Sequence, residues 1–290
     1  MDKKLLIEKE YGKENETAVY ERISRSILDF WGIKDENITS YSILEGTNII
    51  YRICYDNPLY ETLSVPNKNY QLETLIIPSS VKEIRYADLP LAICNVICYS
   101  PFFEVENKTL FSKDKKELIR CFDYFNQEEY IIPNEVEHVR RDAFFSCRFR
   151  KIIIGTSVKF FEDNPFMNMA SPNKYIELES QSDDFFVDGE GGLYSNNNEL
   201  IAYVGKGSEY QVLSGTSSIQ DYAFSGTSVR IIWLPSSIKG FNIDKYHPID
   251  NLLFIIPTIL KYDYSSYSPH IMDEITYRNS FKPQKYPGNY

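Results

Sequence analysis

The chain has 290 residues, of which 43% are hydrophobic and 25% are charged, a balance typical of a soluble globular protein with a sizeable core. Its formal net charge of −10 argues against a general attraction to nucleic acid or to anionic lipid. The longest apolar run is about five residues, 252–256, far short of the ~20 that a membrane-spanning helix requires. We therefore expect neither nucleic-acid binding nor membrane insertion.

The N-terminal region, residues 1–66, lacks the pattern that fills the rest of the chain. Four apolar residues recur there at helical spacing: Val19, Ile23, Ile27 and Phe30. Gly32 follows as a natural helix stop. We predict a helix that caps the open end of the core that follows. The apolar run before Glu8 has only three residues, against roughly 7–15 in a secretory signal, which favours a cytoplasmic location.

The central region, residues 67–264, repeats itself. YIIPNEVEHVRRDAFFSC at 130–147 is matched by YQVLSGTSSIQDYAFSGT at 210–227, a shift of 80 residues that continues downstream. Within each copy lies a period of 22 residues, from Pro133 to Gly155 and from Leu213 to Pro235. The segment LETLIIPSSVKEI at 72–84 is a further unit of the same form.

A period of 20–29 residues with fixed apolar positions is typical of leucine-rich-repeat solenoids. One 22-residue unit has too little material to bury its own apolar side chains, so neighbouring coils must stack and share one core. The β-branched runs predict short strands that form a parallel sheet in a right-handed coil. The Ala-Phe pairs predict that Phe144 and Phe224 lie inside the coil.

Two spacers interrupt the units, at 102–119 and 185–201. Both begin with a Phe-Phe pair and end in Glu-Leu-Ile, and each is predicted to form a strand, a polar turn and a strand. A last Ile-Ile-Pro occurs in 254–264, and the tail at 265–290 is expected to be peripheral to the fold.

The pattern Tyr-x-Ile-Pro-x-x-Val, continued by Ala-Phe-x-x-Cys, resembles the BspA-type leucine-rich repeats of Bacteroidetes. The spacer at 187–203 and the segment at 254–264 are similar to the hairpins and the closing segment of that family, and the resemblance covers about residues 72–264. It implies a non-enzymatic, protein-binding or adhesive repeat protein at the cell surface or secreted. That location is the alternative to the cytoplasmic one.

The sequence contains no strong motif for catalysis, metal binding or cofactor binding. Cys94 and Cys98 lie at a spacing that zinc could use, but no second pair follows among the five cysteines, and buried thiols are the better interpretation. Cys147 follows the Ala-Phe pair at a packing position, which disfavours a thiol nucleophile with His138 as its base. The glycines of GEGG (189–192) and GKGS (205–208) form no phosphate-binding motif. Metal binding by the acidic hairpin 183–190 stays open, and we predict no catalytic, cofactor or metal site.

A partner would contact the outer face of the sheet. The residue two before each proline points away from the core, and this column reads Ile76, Ile131, Ile153, Gln211, Trp233 and Ile255. Arg150, Lys151 and Arg230 flank it. A cluster of Arg140, Arg141, Arg148, Arg150 and Lys151 is either a solvated rim paired with Glu135 and Glu137 or a patch for an acidic partner.

We therefore expect a non-enzymatic scaffold that binds another protein, or a glycan-bearing one, through the column of Ile76, Ile131, Ile153, Trp233 and Ile255. The alternatives are a solenoid that self-assembles and an enzyme whose site forms between coils. The oligomeric state is left open.

Overall fold

The architecture is seen in a computed structural model that describes residues 18–24, 27–33, 40–52, 71–86, 92–122, 128–141, 143–145, 147–166, 176–239, 252–257, 259 and 271–280. Cys54, the side chain of Cys94, His247, His270 and residues 281–290 of the tail lie outside this description.

The described residues form strands almost throughout. In chain order these are β1 (Ala18–Ser24), β2 (Ile27–Ile33), β3 (Ser40–Ser42), β4 (Thr47–Arg52), β5 (Gln71–Ile77), β6 (Glu83–Tyr86), β7 (Ala92–Cys98), β8 (Phe103–Glu106), β9 (Thr109–Ser112), β10 (Glu117–Cys121), β11 (Glu129–Ile131), β12 (His138–Val139), β13 (Lys151–Ile154), β14 (Phe160–Phe161), β15 (Glu177–Ser180), β16 (Phe185–Val187), β17 (Gly192–Ser195), β18 (Glu199–Tyr203), β19 (Glu209–Gln211), β20 (Ser218–Ile219), β21 (Ile231–Trp233), β22 (Leu253–Ile256), β23 (Ile271–Asp273) and the helix α1 (Glu274–Ser280).

The strands build a β-solenoid of about 7 turns, as the sequence predicts. Each described turn contributes one strand to a front row, and the turns up to β20 also contribute to a back row. The first front sheet has the order β3-β5-β7, the second β11-β13-β15 and the third β19-β21-β22-β23. All their pairings are parallel. The back sheets have the orders β1-β2-β4-β6, β14-β12-β10-β9-β8 and β16-β17-β18-β20.

The 22-residue period is the length of one coil. Tyr130 pairs with Ile152, and Tyr210 pairs with Ile232, each 22 residues further along the chain. The Pro-x-x-Val spacing has a local cause, because the amide of Val136 donates to the carbonyl of Pro133 at 3.0 Å and so closes a turn after the front strand. Gly155 replaces proline at that turn because a Cβ there would collide with the carbonyl oxygen of Ile132.

The core lies between the two rows. Phe144 and Phe224 are both 0% exposed, which confirms their predicted place inside the coil. Phe144 stacks on Phe166 with ring centroids 5.7 Å apart, and Phe224 meets Phe254 edge to face at 6.2 Å. Cys147 is also buried, as a packing residue, and its thiol donates to the carbonyl of Cys121 at 3.4 Å.

The predicted N-terminal capping helix is wrong. Val19 and Ile23 lie in β1 and Ile27 and Phe30 in β2, which pair antiparallel. Gly32, expected as a helix stop, pairs with Val19. The segment is rich in β-branched and aromatic residues, and β2 continues in parallel onto β4 of the coil, so pairing with an existing sheet outweighs the helical spacing. The boundary at residue 66 stays a prediction, although β3 and β4 already pair with β5 and β6.

Each spacer forms an antiparallel three-stranded meander, one strand more than predicted. The meanders are β8-β9-β10 and β16-β17-β18. The last strand of each then pairs in parallel with the next coil, β10 with β12 and β18 with β20. The meanders therefore lengthen only the back row and divide the front row into three sheets.

Within the part of the chain that the structure describes, no helix combines the length and the apolarity needed to cross a membrane.

Candidate functional site

The predicted column is present in the strand register, but as three separate outer columns. The first front sheet aligns Ser42, Ile76 and Ile97; the second aligns Ile131, Ile153 and Glu179; the third aligns Gln211, Trp233, Ile255 and Met272. The single continuous column expected from the sequence is interrupted because each meander adds strands to the back row alone.

The outer face of the second front sheet is partly open. Ile131 is 54% exposed, whereas Ile153 beside it is only 7% exposed, although it is not part of the buried cluster around Phe144. In the first front sheet Ile97 is 37% exposed and Ile76 is half-buried. Tyr99 and Phe102, which follow β7, are also exposed. The prediction of an exposed apolar column therefore holds at Ile131, partly at Ile76, and not at Ile153.

The charged residues of this face are paired. Lys151 lies between Glu129 and Glu177 in the register, and its Nζ is 2.6 Å from Oε2 of Glu179. This hydrogen bond raises the pKa of Lys151 above its ordinary value. Arg150 is exposed, with Nη1 3.4 Å from Oε2 of Glu128. The rim around Ile131 therefore carries both signs of charge.

The outer face of the third front sheet is covered by the chain itself. The ring of Tyr277 from α1 meets Trp233 edge to face at 5.1 Å, and the guanidinium carbon of Arg278 lies 5.7 Å from the centre of the Trp233 ring. Ile255 is 1% exposed, and Trp233 is half-buried. Two of the predicted contact residues are thus not open surface, because β23 and α1 arise from the tail that was expected to be peripheral. Arg230 remains exposed, and its guanidinium donates to the carbonyl of Val229.

The start of α1 is held by Asp273. Its carboxylate accepts hydrogen bonds from the amide of Thr276 at 3.0 Å and from the Thr276 hydroxyl at 2.6 Å. This is the usual arrangement at a helix N-terminus, and it fixes the helix directly after β23. The position of Tyr277 over Trp233 depends on it.

The basic cluster is a paired surface, although with other partners than expected. Arg140 Nε lies 2.9 Å from Glu117, and Arg141 Nη1 lies 3.2 Å from Asp163. Glu137 instead bridges Lys116 and Lys159. Burial opposes ionisation of Glu117, but hydrogen bonds from His138 and Arg140 outweigh it and lower the pKa of this carboxyl. His138 points outward on the back row, where its ring contacts Phe160, while Cys147 faces the core.

The described residues contain no group of three or more His, Cys, Asp or Glu arranged to hold a metal ion.

Sequence reasoning missed a buried tyrosine network beside the second meander. The hydroxyls of Tyr194 and Tyr210 lie 2.6 Å apart, and Tyr210 donates to Oδ2 of Asp188 at 2.6 Å. Burial raises the pKa of Tyr194 to about 12, and burial together with the neighbouring Tyr194 and Asp188 raises the pKa of Tyr210 further. The equivalent Tyr130 contacts Thr109 of the first meander at 3.0 Å. Separations of 21 and 22 residues, close to one coil, are the sequence signal for both contacts.

The fold and these columns define a leucine-rich-repeat type of solenoid. Residues 119–252 match the family model described as BspA type leucine rich repeat region, in six copies. Residues 119–252 are therefore BspA-type leucine-rich repeats. No curated protein matches the chain.

Solved structures are similar at low identity. A leucine rich cell surface protein from Faecalibacterium prausnitzii is 20% identical with a TM-score of 0.48, over 76% of this chain and 60% of that one. A leucine-rich repeat protein from Eubacterium ventriosum is 16% identical with a TM-score of 0.43, over 83% of this chain and 64% of that one. One from Bacteroides ovatus is 15% identical with a TM-score of 0.34, over 83% and 64%. The chain thus spans about three fifths of the length of these structures.

Proposed function

We propose that this leucine-rich-repeat scaffold binds another protein through the outer face of its first and second front sheets. The observation that carries the proposal is the exposure of Ile131, 54%, on a column whose counterpart in the third front sheet is covered by α1. The chain encloses one such column with its own residues and leaves another partly open. An open apolar position on a rigid sheet is a suitable anchor for a partner.

The energetics favour a contact centred on Ile131. Fully burying an isoleucine side chain stabilises a complex by ~1.5–3 kcal/mol, and about half of that gain remains for a partner. The neighbouring Lys151 and Arg150 already have carboxylate partners, so a protein that covers this face does not leave an isolated charge in the interface. Such binding needs shape and apolar contact and no reactive group.

Affinity capture from the source cell tests the proposal with two matched variants. Ile131→Asp places a carboxylate at the centre of the face. Phe160→Asp makes the same change at a side chain of equal exposure, 54%, in β14 on the back row. We expect the captured partner to be lost with Ile131→Asp and kept with Phe160→Asp, while both variants retain the melting temperature of the wild type within a few degrees.

A partner captured equally by the wild type and both variants contradicts the proposal. Sedimentation of the purified protein distinguishes the self-assembly alternative. A concentration-dependent oligomer that disappears in Ile131→Asp would assign the face to a second copy of this chain instead.

A further inference from the structure

A gap separates the second and third front sheets. Among the described strands, β15 and β19 are each paired on one side only, with β13 and with β21. Between them the back row continues through β16, β17 and β18. β17 and β18 have no counterpart in the front row. The unpaired edges of β15 and β19 therefore face each other across the second meander.

The hydrogen bonds of β15 and β19 show which of their backbone N–H and C=O groups face the gap. The amides of Glu177 and Gln181 donate to carbonyls on the β13 side, at 2.8 and 2.9 Å. Alternate residues of a strand form backbone hydrogen bonds with opposite neighbouring strands, so the backbone groups of Leu178 and Ser180 face the gap. On β19 the carbonyl of Ser208 and the amide of Val212 bond toward β21, which turns the backbone groups of Glu209 and Gln211 to the gap.

A cleft of about 690 Å³ occupies this gap, within the range of roughly 300–1,000 Å³ common for ligand sites. Its lining includes Leu178 and Glu209 from the two edges and Tyr203 at the end of the meander. The remaining wall includes four glycines from the loops at 189–191 and 205–207.

These two loops pack main chain against main chain. A Cβ on Gly191, whose φ is +98°, would lie 2.9 Å from the Cα of Gly205, and a Cβ on Gly205 would collide with the carbonyl of Glu190. Asp188 holds the first loop by accepting the amides of Glu190 and Gly192 at 2.9 and 2.8 Å. The hydroxyl of Tyr203 holds the second by accepting the amide of Gly207 at 3.1 Å. The wall is therefore pre-formed and lets an incoming backbone approach closely.

The charge of the cleft favours a positively charged ligand. Its lining carries the carboxylates of Glu177, Asp188, Glu190 and Glu209 against the single ammonium of Lys206. Asp188 is engaged by loop amides and by Tyr210, whereas Glu177 and Glu190 are exposed. Glu209 is also exposed and accepts a hydrogen bond from Trp233 Nε1 at 3.4 Å. In the second front sheet, carboxylates of this kind flank a lysine, because Lys151 of β13 lies in register between Glu129 and Glu177. A strand added at the free edge of β15 meets Glu177 from the side opposite to Lys151, and Glu209 lies on the other wall of the cleft.

We propose that this cleft binds an extended basic peptide segment of another protein, which pairs with the free edge of β15. Lys or Arg at alternate positions faces the outer carboxylates, and apolar residues between them face Leu178 and Tyr203. Main-chain hydrogen bonds supply the binding, and the alternation supplies the specificity. This site is distinct from the face around Ile131.

Fluorescence anisotropy tests the proposal with a labelled peptide of alternating lysine and valine. We expect saturable binding to the wild type, at least about tenfold weaker binding to the Glu177→Lys/Glu209→Lys variant, and weaker binding at higher salt. Glu135→Lys, a charge reversal at an exposed turn outside the cleft, is the matched control and keeps the wild-type affinity, as does Ile131→Asp.

Main-chain pairing is tested by N-methylation of the peptide. Methyl groups on one alternate set of amides are expected to abolish binding, while methyl groups on the other set are tolerated. Equal binding by both methylated peptides, by a peptide of the same composition with its lysines in one block, or by the charge-reversed protein would show a nonspecific ionic contact and overturn the proposal. Absence of saturable binding to the wild type would overturn it as well.

Discussion

The second and third front sheets have the same construction and different surfaces. Ile131 and Ile153 occupy one outer column, and Trp233 and Ile255 occupy the equivalent one, both set by the 22-residue coil. Ile131, in the edge strand β11, is 54% exposed, whereas Ile255, in β22 between β21 and β23, is 1% exposed, and α1 also packs on this third sheet. The repeat determines which side chains point outward, and the segments outside the repeat determine which of these meet solvent.

The interiors of the two regions should respond alike to deletion of their central rings. Phe144→Ala and Phe224→Ala each remove a fully buried ring, and we expect each to lower the free energy of unfolding by ~3–5 kcal/mol. Urea unfolding followed by circular dichroism measures this. Phe160→Ala, at an exposed ring, is the control and stays within ~1 kcal/mol. If either core variant were as stable as the wild type, the shared interior would be refuted.

The buried tyrosines beside the two meanders should make the stability of both regions depend on pH above about 10. The pKa of Tyr194 is raised to about 12 and those of Tyr210 and Tyr130 are raised as well, whereas an unfolded tyrosine titrates near ~10. The unfolded chain therefore loses these protons first. Stability is fully present below pH ~10 and falls above it, by up to ~1.4 kcal/mol per tyrosine for each pH unit.

Tyr210→Phe should reduce this alkaline loss and also destabilise the protein at pH 7, because it leaves Oδ2 of Asp188 without the Tyr210 hydroxyl. Tyr130→Phe should destabilise it less, since that hydroxyl contacts only the neutral Thr109 among its described partners. Unfolding measured from pH 7 to 12 checks both variants. An identical pH profile for the wild type and Tyr210→Phe would contradict the assignment.

The two outer columns should differ in their tolerance of a charge. Trp233→Asp removes the contacts with Tyr277 and Arg278 and places a carboxylate beside Glu209, so we expect a loss of about 2 kcal/mol. Ile131→Asp should cost less than ~1 kcal/mol, because the side chain is already half exposed. Thermal unfolding of the two variants measures the difference, and equal losses would mean that the faces are equally covered.

Removing the helix cap should expose the third sheet at a small cost. Asp273→Ala deletes both hydrogen bonds to Thr276, and we expect about 1 kcal/mol of destabilisation with faster hydrogen exchange across 271–280. Asn279→Ala, at the exposed end of α1, is the control. Unchanged exchange in Asp273→Ala would show that α1 is held by its packing alone.

The repeat could be predicted from sequence because its signals are local and recur. Pro133 and Val136 close a turn, Ala143 and Phe144 fill the coil, and the 22-residue spacing sets the register. The sequence-based predictions were wrong where contacts between distant parts of the chain determine the structure. The residues of β1 and β2 have helical apolar spacing, but β1 pairs with β2 and β2 pairs with β4. Tyr277 reaches Trp233 from the C-terminal tail, outside the repeat. The cleft between β15 and β19 was missed since its two glycine loops show no motif until the meander brings them together.

Accessibility at one position in each of the two outer columns tests the central claim most directly. Ile131→Cys and Ile255→Cys are labelled with a maleimide under native conditions, and mass spectrometry of the peptides reports each position apart from the native cysteines. We expect rapid labelling at 131 and at least tenfold slower labelling at 255, with the difference reduced when Asp273→Ala is added. Equal labelling at both positions in the otherwise unchanged chain would contradict it.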